Sequence, residues 1–195
     1  MKKNIITISR EFGSGGRMIG KMVAEKLGIA YYDKEIIAKV AEKTGFAEDF
    51  IERSGEYSPS KSIFAYAVVS RDAAGSSMDD YIFSVQRKII LELAEKGPCV
   101  IVGRCADDIL SDREDSLHVF IYGNKEEKIK KIMKTHNVSE REAAKLMKVT
   151  DKRRSINYNY YTDGQWGKVH NYDLCLNSSA VGFEACADAI VNLVK

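Results

Sequence analysis

The sequence predicts an α/β fold in three layers, a five-stranded parallel sheet with helices on both faces. Five apolar runs of strand length lie at residues 5–8, 29–32, 99–102, 117–122 and 174–176. They are near-continuous rather than alternating, the pattern of strands buried on both faces. Helical stripes separate them: Met18, Ile19, Met22, Val23 and Leu27 form one, Ile129, Ile132 and Met133 a second, and Phe183, Ala187, Ile190, Val191 and Val194 a third. Strand and helix in alternation call for parallel strands joined by crossover helices. The chain of 195 residues suffices for one packed core.

The first strand runs into EFGSGGR and a helix. The second ends at Asp33 before the helical stretch KEIIAKVAEK, where Asp33 can also serve as an N-cap. Residues 46–97 break the rhythm with the loop SGEYSPSKS and two predicted helices, an insertion of the kind that covers a ligand at a strand's carboxyl edge. After the fourth strand, Ser139 and Glu142 make a capping box, and Asn124 with Glu127 resembles one. A second irregular stretch, TDKRRSINYNYYTDGQWGK, mixes polar, basic and aromatic residues ahead of the last strand and helix.

Composition narrows the function. A hydrophobic fraction of 45% and a charged fraction of 30% are ordinary for a soluble protein, and no apolar stretch reaches the roughly 20 residues that span a bilayer. The start MKKNIITISREFG has neither the apolar length nor the cleavage site of a signal peptide, so a cytoplasmic location is expected. Cys99, Cys105, Cys175 and Cys186 form no CxxC pair and read as reduced packing residues. A formal charge of +2 gives no case for a nucleic-acid binder. His118 lies in the apolar run LHVFIY and reads as a core or edge-strand histidine, and His136 and His170 have no zinc-ligand spacing.

Three glycines in four residues mark the first loop as an anion cradle. The amides of Gly13, Ser14, Gly15 and Gly16 can turn to one point, and the helix beginning near Arg17 directs its positive end there. The dinucleotide fingerprint GxGxxG fails at its third glycine, where Met18 stands, and four residues separate Ile8 from Gly13. In the register of a Walker loop Gly15 is the last glycine, Gly16 takes the lysine position, Arg17 the Ser/Thr position and Arg10 the opening glycine. Glycine contributes only an N–H where lysine would bridge the β- and γ-phosphates, so another cation must substitute, with Arg17 and Arg10 the nearest.

The set ISREFGSGGR, YYDKEII, VIVGRCADDIL, DKRRSINYNYYT and YDLCLNSS resembles the cytidylate kinase-like family, P-loop relatives of the nucleoside monophosphate kinases, across nearly the whole chain. The resemblance implies one domain over 1–195: a core of residues 1–45, 98–149 and 168–195, an acceptor-binding insert over about 46–97 and a lid over about 150–167. It implies transfer of the γ-phosphoryl of ATP, with Mg2+, to a nucleoside monophosphate such as CMP or dCMP. Asp33 then stands near the acceptor phosphate, Arg104 matches the arginine that grips the acceptor nucleotide, and Asp151 with Arg154 reproduces the DxxR of the lid, with Asp151 on the acceptor side. Arg17, Arg153 and Arg154 become the catalytic cations and Asp33 an acceptor-orienting carboxylate. Cys105 replaces an aspartate of acceptor recognition, for which Asp107 or Asp108 can compensate, and Met147 replaces an earlier lid arginine. Tyr158, Tyr160, Tyr161 and Trp166 are expected to pack the lid on the body. The altered loop leaves two alternatives open: a kinase for another small acceptor, and a nucleotide-binding module without turnover.

Overall fold

A computed structural model describes residues 3–54 and 78–194. The loop SGEYSPSKS falls, apart from its first residue, outside the described residues. The chain runs β1 (Ile5–Arg10), α1 (Gly16–Leu27), β2 (Ala30–Tyr32), α2 (Lys34–Thr44), α3 (Glu48–Ser54), α4 (Met78–Glu95) and β3 (Cys99–Val102). It continues with α5 (Ala106–Ile109), β4 (Ser116–Tyr122), α6 (Lys125–His136), α7 (Glu140–Tyr161), β5 (Leu174–Asn177), α8 (Ser178–Val181) and α9 (Phe183–Val194).

All strand pairs are parallel, in the order β2-β3-β1-β4-β5. The pleat sends alternate residues to opposite faces. Ile6, Ile8, Val100, Val102, Leu117, Val119 and Ile121 meet α1 and α9 through Ile19, Val23, Ala187 and Ile190. Ile5, Cys99 and Ile101 meet α2 and α4 through Ile36, Val40, Ile89 and Ile90, with Tyr158 of α7 in the same cluster. A third cluster, Ile129, Ile132, Ala143 and Met147, joins α6 to α7 and takes in Phe12. Each fully buried isoleucine contributes roughly 1.5–3 kcal/mol.

Two consequences bear on function. A dinucleotide-binding sheet has β2 beside β1, in the order 3-2-1-4-5-6. Here β3 separates them, which sets the dinucleotide-binding topology aside. The chain reverses direction about β1, so the crevice outside the carboxyl ends of β1 and β3 is where this architecture places a ligand.

Ser139 caps α7 with both bonds of a capping box. Asn124 makes no such bond for α6; its carboxamide oxygen accepts from Asn177 Nδ2 at 3.2 Å and joins the ends of β4 and β5. From Ser139 onward α7 is continuous for 22 residues, so the stretch assigned to a lid from about residue 150 begins in mid-helix. The four cysteines are free, and no described helix is long and apolar enough to cross a membrane.

Candidate active site

The strand leading into the glycine loop extends two residues beyond the apolar run, through Ser9 and Arg10, both buried. The loop is therefore shorter than the sequence suggested, with only Glu11 and Phe12 ahead of Gly13. Its path is fixed from several sides. Glu11 Oε2 accepts from the Gly123 amide at 3.2 Å and from Lys128 Nζ at 2.7 Å. The Phe12 amide donates to Asp151 Oδ1 at 2.6 Å, and Ser178 Oγ donates to the Ser14 carbonyl at 2.6 Å. Ser14 serves the loop's own shape: its amide points back to the Glu11 carbonyl at 3.3 Å and its hydroxyl to the same oxygen at 2.8 Å. That corrects the expectation that the Ser14 amide joins the cradle.

A further place for an anion, beside the expected amides of Gly13 and Gly15, is the start of α1. Gly15, with φ 85°, turns the chain into the helix, no side chain caps it and its first turn holds no acidic residue. By helix geometry the first-turn amides of Gly16, Arg17 and Met18 have no acceptor within the helix, and they lie at its positive end. A side chain is excluded at Gly16 for a local reason: a Cβ there would lie 2.6 Å from Arg10 Cβ and 2.9 Å from Arg10 Cγ. The stem of Arg10 fills the volume a lysine would need.

The loop forms one wall of a cavity of about 220 Å³, lined also by Arg10, Arg17, Met18, Lys131, Ile132 and Arg154. A second cavity, of only about 20 Å³, opens beside it at the end of β3, lined by Ser9, Gly103, Arg104, Cys105, Asn157 and Trp166 among others. Arg10 and Arg154 line both. Arg154, 5% exposed, donates from Nη1 to the Arg10 carbonyl at 2.9 Å, stands 3.7 Å from Asp151 Oδ1 and lies over the Phe12 ring at 5.7 Å. Arg104 is presented by a left-handed turn, with φ 63° there and 55° at Cys105. Such conformations cost non-glycine residues about 1–2 kcal/mol each, and strain of this kind gathers at functional sites. Gln86 Nε2 holds the turn by donating to the Arg104 carbonyl at 3.3 Å.

Residues 5–180 match the model of the cytidylate kinase-like family. The chain belongs to that family. A crystal structure of an uncharacterized protein from Eubacterium ventriosum is 32% identical, with 98% of each chain covered and a TM-score of 0.75. The fold is also that of shikimate kinase from Acinetobacter baumannii in complex with shikimate, at 15% identity, 98% and 93% coverage and TM-score 0.56. A gluconokinase from Sinorhizobium meliloti shares it at 12% identity, 98% and 91% coverage and TM-score 0.54. No curated protein matches the chain. The family is thus cytidylate kinase-like, and the fold is one shared with P-loop kinases.

Within this kinase-like frame the sequence-derived residues separate. Arg17 and Asp33 meet: Arg17 Nε lies 2.9 Å from Asp33 Oδ2, across from the end of β2, and the Tyr31 hydroxyl holds the Arg17 carbonyl at 3.3 Å. Asp33 occupies the N-cap position of α2 without a side-chain cap bond. Arg153 is half-buried on the next face of α7 and is not among the described residues lining either cavity. Asp107 does not line the acceptor side as expected. Its carboxylate turns into the core, accepting from Ser9 Oγ at 3.1 Å and from the Tyr158 hydroxyl at 2.8 Å. Asp151 likewise fastens α7 to the loop through the Phe12 amide instead of facing an acceptor. Of the four lid aromatics, Tyr158 is buried, Tyr161 stacks on Phe83 at 3.9 Å and Trp166 meets Phe120 edge-on, whereas Tyr160 is 54% exposed. Lys128 and Lys131 of α6, which the sequence does not single out, both reach the loop.

Burial pushes both Asp107 and Asp151 up to about 6, only partly offset by their hydrogen bonds. The folded chain therefore keeps these protons to higher pH than the unfolded chain, whose aspartates titrate near 4. Stability from these groups is full below pH 4, falls as pH rises to about 6 and is level above it. Asp107→Asn is expected to remove a share on the order of 2 kcal/mol from that decline. Denaturant unfolding at pH 4.5 and 7 for both proteins checks this, and an identical pH slope in the two would refute it.

Proposed function

We propose that the protein is a kinase that moves the γ-phosphoryl group of ATP to a nucleoside monophosphate of the CMP or dCMP kind. The observation that carries the reading is the shared wall: Arg10 and Arg154 border both the loop cavity and the cavity with Arg104. A phosphoryl group passing from one to the other would travel beside two guanidinium groups.

In this reading the first-turn amides of α1 hold the phosphate chain of ATP, and Arg104 pairs with the acceptor's phosphate through its planar fork. An oxygen of that phosphate forms the new bond to the γ-phosphorus as the bond to the β–γ bridging oxygen breaks, and ADP carries that oxygen away. Arg10 and Arg154 offset the charge spread over the γ-oxygens, so catalysis is positioning and electrostatics. Asp33 orients the acceptor and, through Arg17, sets that arginine at the mouth of the loop. Among the described residues no three His, Cys, Asp or Glu gather into a metal cluster. That donor set fits magnesium held chiefly by phosphate oxygens and water, with Asp33 the carboxylate available to a bound water. When bound, magnesium would neutralise charge between the β- and γ-phosphates.

A second reading, transfer to a different small acceptor, is favoured by Cys105, whose thiol lies 3.8 Å from Asn157 Oδ1 where the family pattern has an aspartate. ADP release from ATP and magnesium, screened over nucleoside monophosphates and small hydroxy acids, decides between them. Turnover with CMP or dCMP is the expected result. Turnover confined to non-nucleotide acceptors would reject the nucleotide reading, and ATP binding without transfer to any acceptor would leave a binding module.

A further inference from the structure

An ammonium group carried by another helix stands beside the glycine loop. Lys131 stands on α6, and its Nζ is buried with no hydrogen-bond partner. It lines the loop cavity, and a Cβ built on Gly15 would lie 2.8 Å from it. The ammonium rests over the Phe183 ring, 3.7 Å from the centroid, and the same ring also closes on Gly15. One turn earlier on the same face Lys128 is tied to Glu11 at 2.7 Å, which fixes α6 against the loop and so fixes where Lys131 is held.

We propose that Lys131 binds the phosphate chain of the nucleotide in the glycine loop, taking the part that a lysine at position 16 plays in other phosphate loops. The inference rests on the kinase reading given above and adds a donor-side residue to it. A buried ammonium without an acceptor is costly, and the contact with Phe183 recovers only part of that cost. Burial accordingly depresses the Lys131 pKa. A phosphate oxygen beside Gly15 would give the ammonium the charged acceptor it lacks, and charge-assisted bonds of this kind are the strong ones. Arg10 has a different place, with its stem against Gly16, and borders both cavities.

The test uses the full chain with magnesium-ATP and, separately, magnesium with inorganic tripolyphosphate. Lys131→Met keeps the length of the apolar stem and removes the charge. It is expected to bind both probes about 30-fold more weakly than wild type while its ligand-free melting temperature is unchanged or higher. Lys131→Arg is expected to restore binding to within about fivefold of wild type. Equal binding by Lys131→Met and wild type would overturn the assignment and leave the kinase reading standing. A fall in melting temperature together with lost binding, unrescued by arginine, would make Lys131 a structural residue and overturn it too. Wild type that binds neither probe would overturn both readings.

Discussion

Gly16→Lys, which restores the residue that phosphate loops ordinarily carry at this place, is expected to weaken ATP binding at least about tenfold and to destabilise the fold by roughly 1–3 kcal/mol. The backbone at Gly16 poses no difficulty; the obstacle is steric. The added Cβ would lie 2.6 Å from Arg10 Cβ, and a Cβ is too close to the main chain to swing aside. Either α1 retreats from the sheet, which opens the core around Ile19, or Arg10 leaves the wall between the two cavities. Both routes spoil the anion site before a new ammonium can help. Calorimetric ATP binding and a denaturant midpoint for the variant read the two effects directly. Tighter ATP binding by Gly16→Lys would show that the site tolerates a side chain there and that Lys131 does not fill the vacated role.

The same contacts explain how far the site was legible in the sequence. Strands are local and repetitive: a run such as CVIV declares its burial by itself, and β3 coincides with it. Ser9 and Arg10 were harder to place because a strand's carboxyl end at a ligand site is polar by purpose, and its burial is set by partners far along the chain, Asp107 98 positions on and Arg154 144. The glycine loop, Arg17, Asp33, Arg104 and Arg154 carried signals of their own in glycine spacing or strand-end position. Lys131 carried none. In KEEKIKKIMK it is one of several lysines on an amphipathic helix, and only the docking of α6 on the loop separates it from a solvated neighbour such as Lys130, which pairs with Glu127 at 2.9 Å. Asp107 and Asp151 show the converse. Both have the residue type and place of acceptor ligands, yet tertiary hydrogen bonds to Tyr158 and Phe12 engage them in holding α7 to the core. Asp151 and Arg154 do share a helix face, as their spacing requires, but that face is turned onto the loop and not outward.

Arg154→Lys is expected to lower the rate of phosphoryl transfer about a thousandfold while leaving ATP affinity within about threefold of wild type. Arg154 combines two tasks on one planar group. It donates to the Arg10 carbonyl at 2.9 Å, which pins the end of β1 to α7, and it borders the cavities between which the phosphoryl would pass. A fork with several fixed donors can do both at once, whereas an ammonium is a single point and must choose. With lysine the bond to the carbonyl is the one that persists, because an unmet buried carbonyl costs free energy in every state of the protein. In the proposed reaction the contact to the transferring group would matter only at the top of the barrier, so its loss would fall on turnover and not on binding. Arg154→Ala should remove both tasks and also strip Asp151 of a neighbouring cation, raising further a carboxyl that burial already holds near 6. Single-turnover transfer and equilibrium ATP binding for Arg154→Lys, with the titration of Asp151 followed in Arg154→Ala, separate the two tasks. Transfer at the wild-type rate in Arg154→Lys would show that the charge alone suffices, and a parallel fall in ATP affinity would place Arg154 among the groups that hold the nucleotide in its ground state.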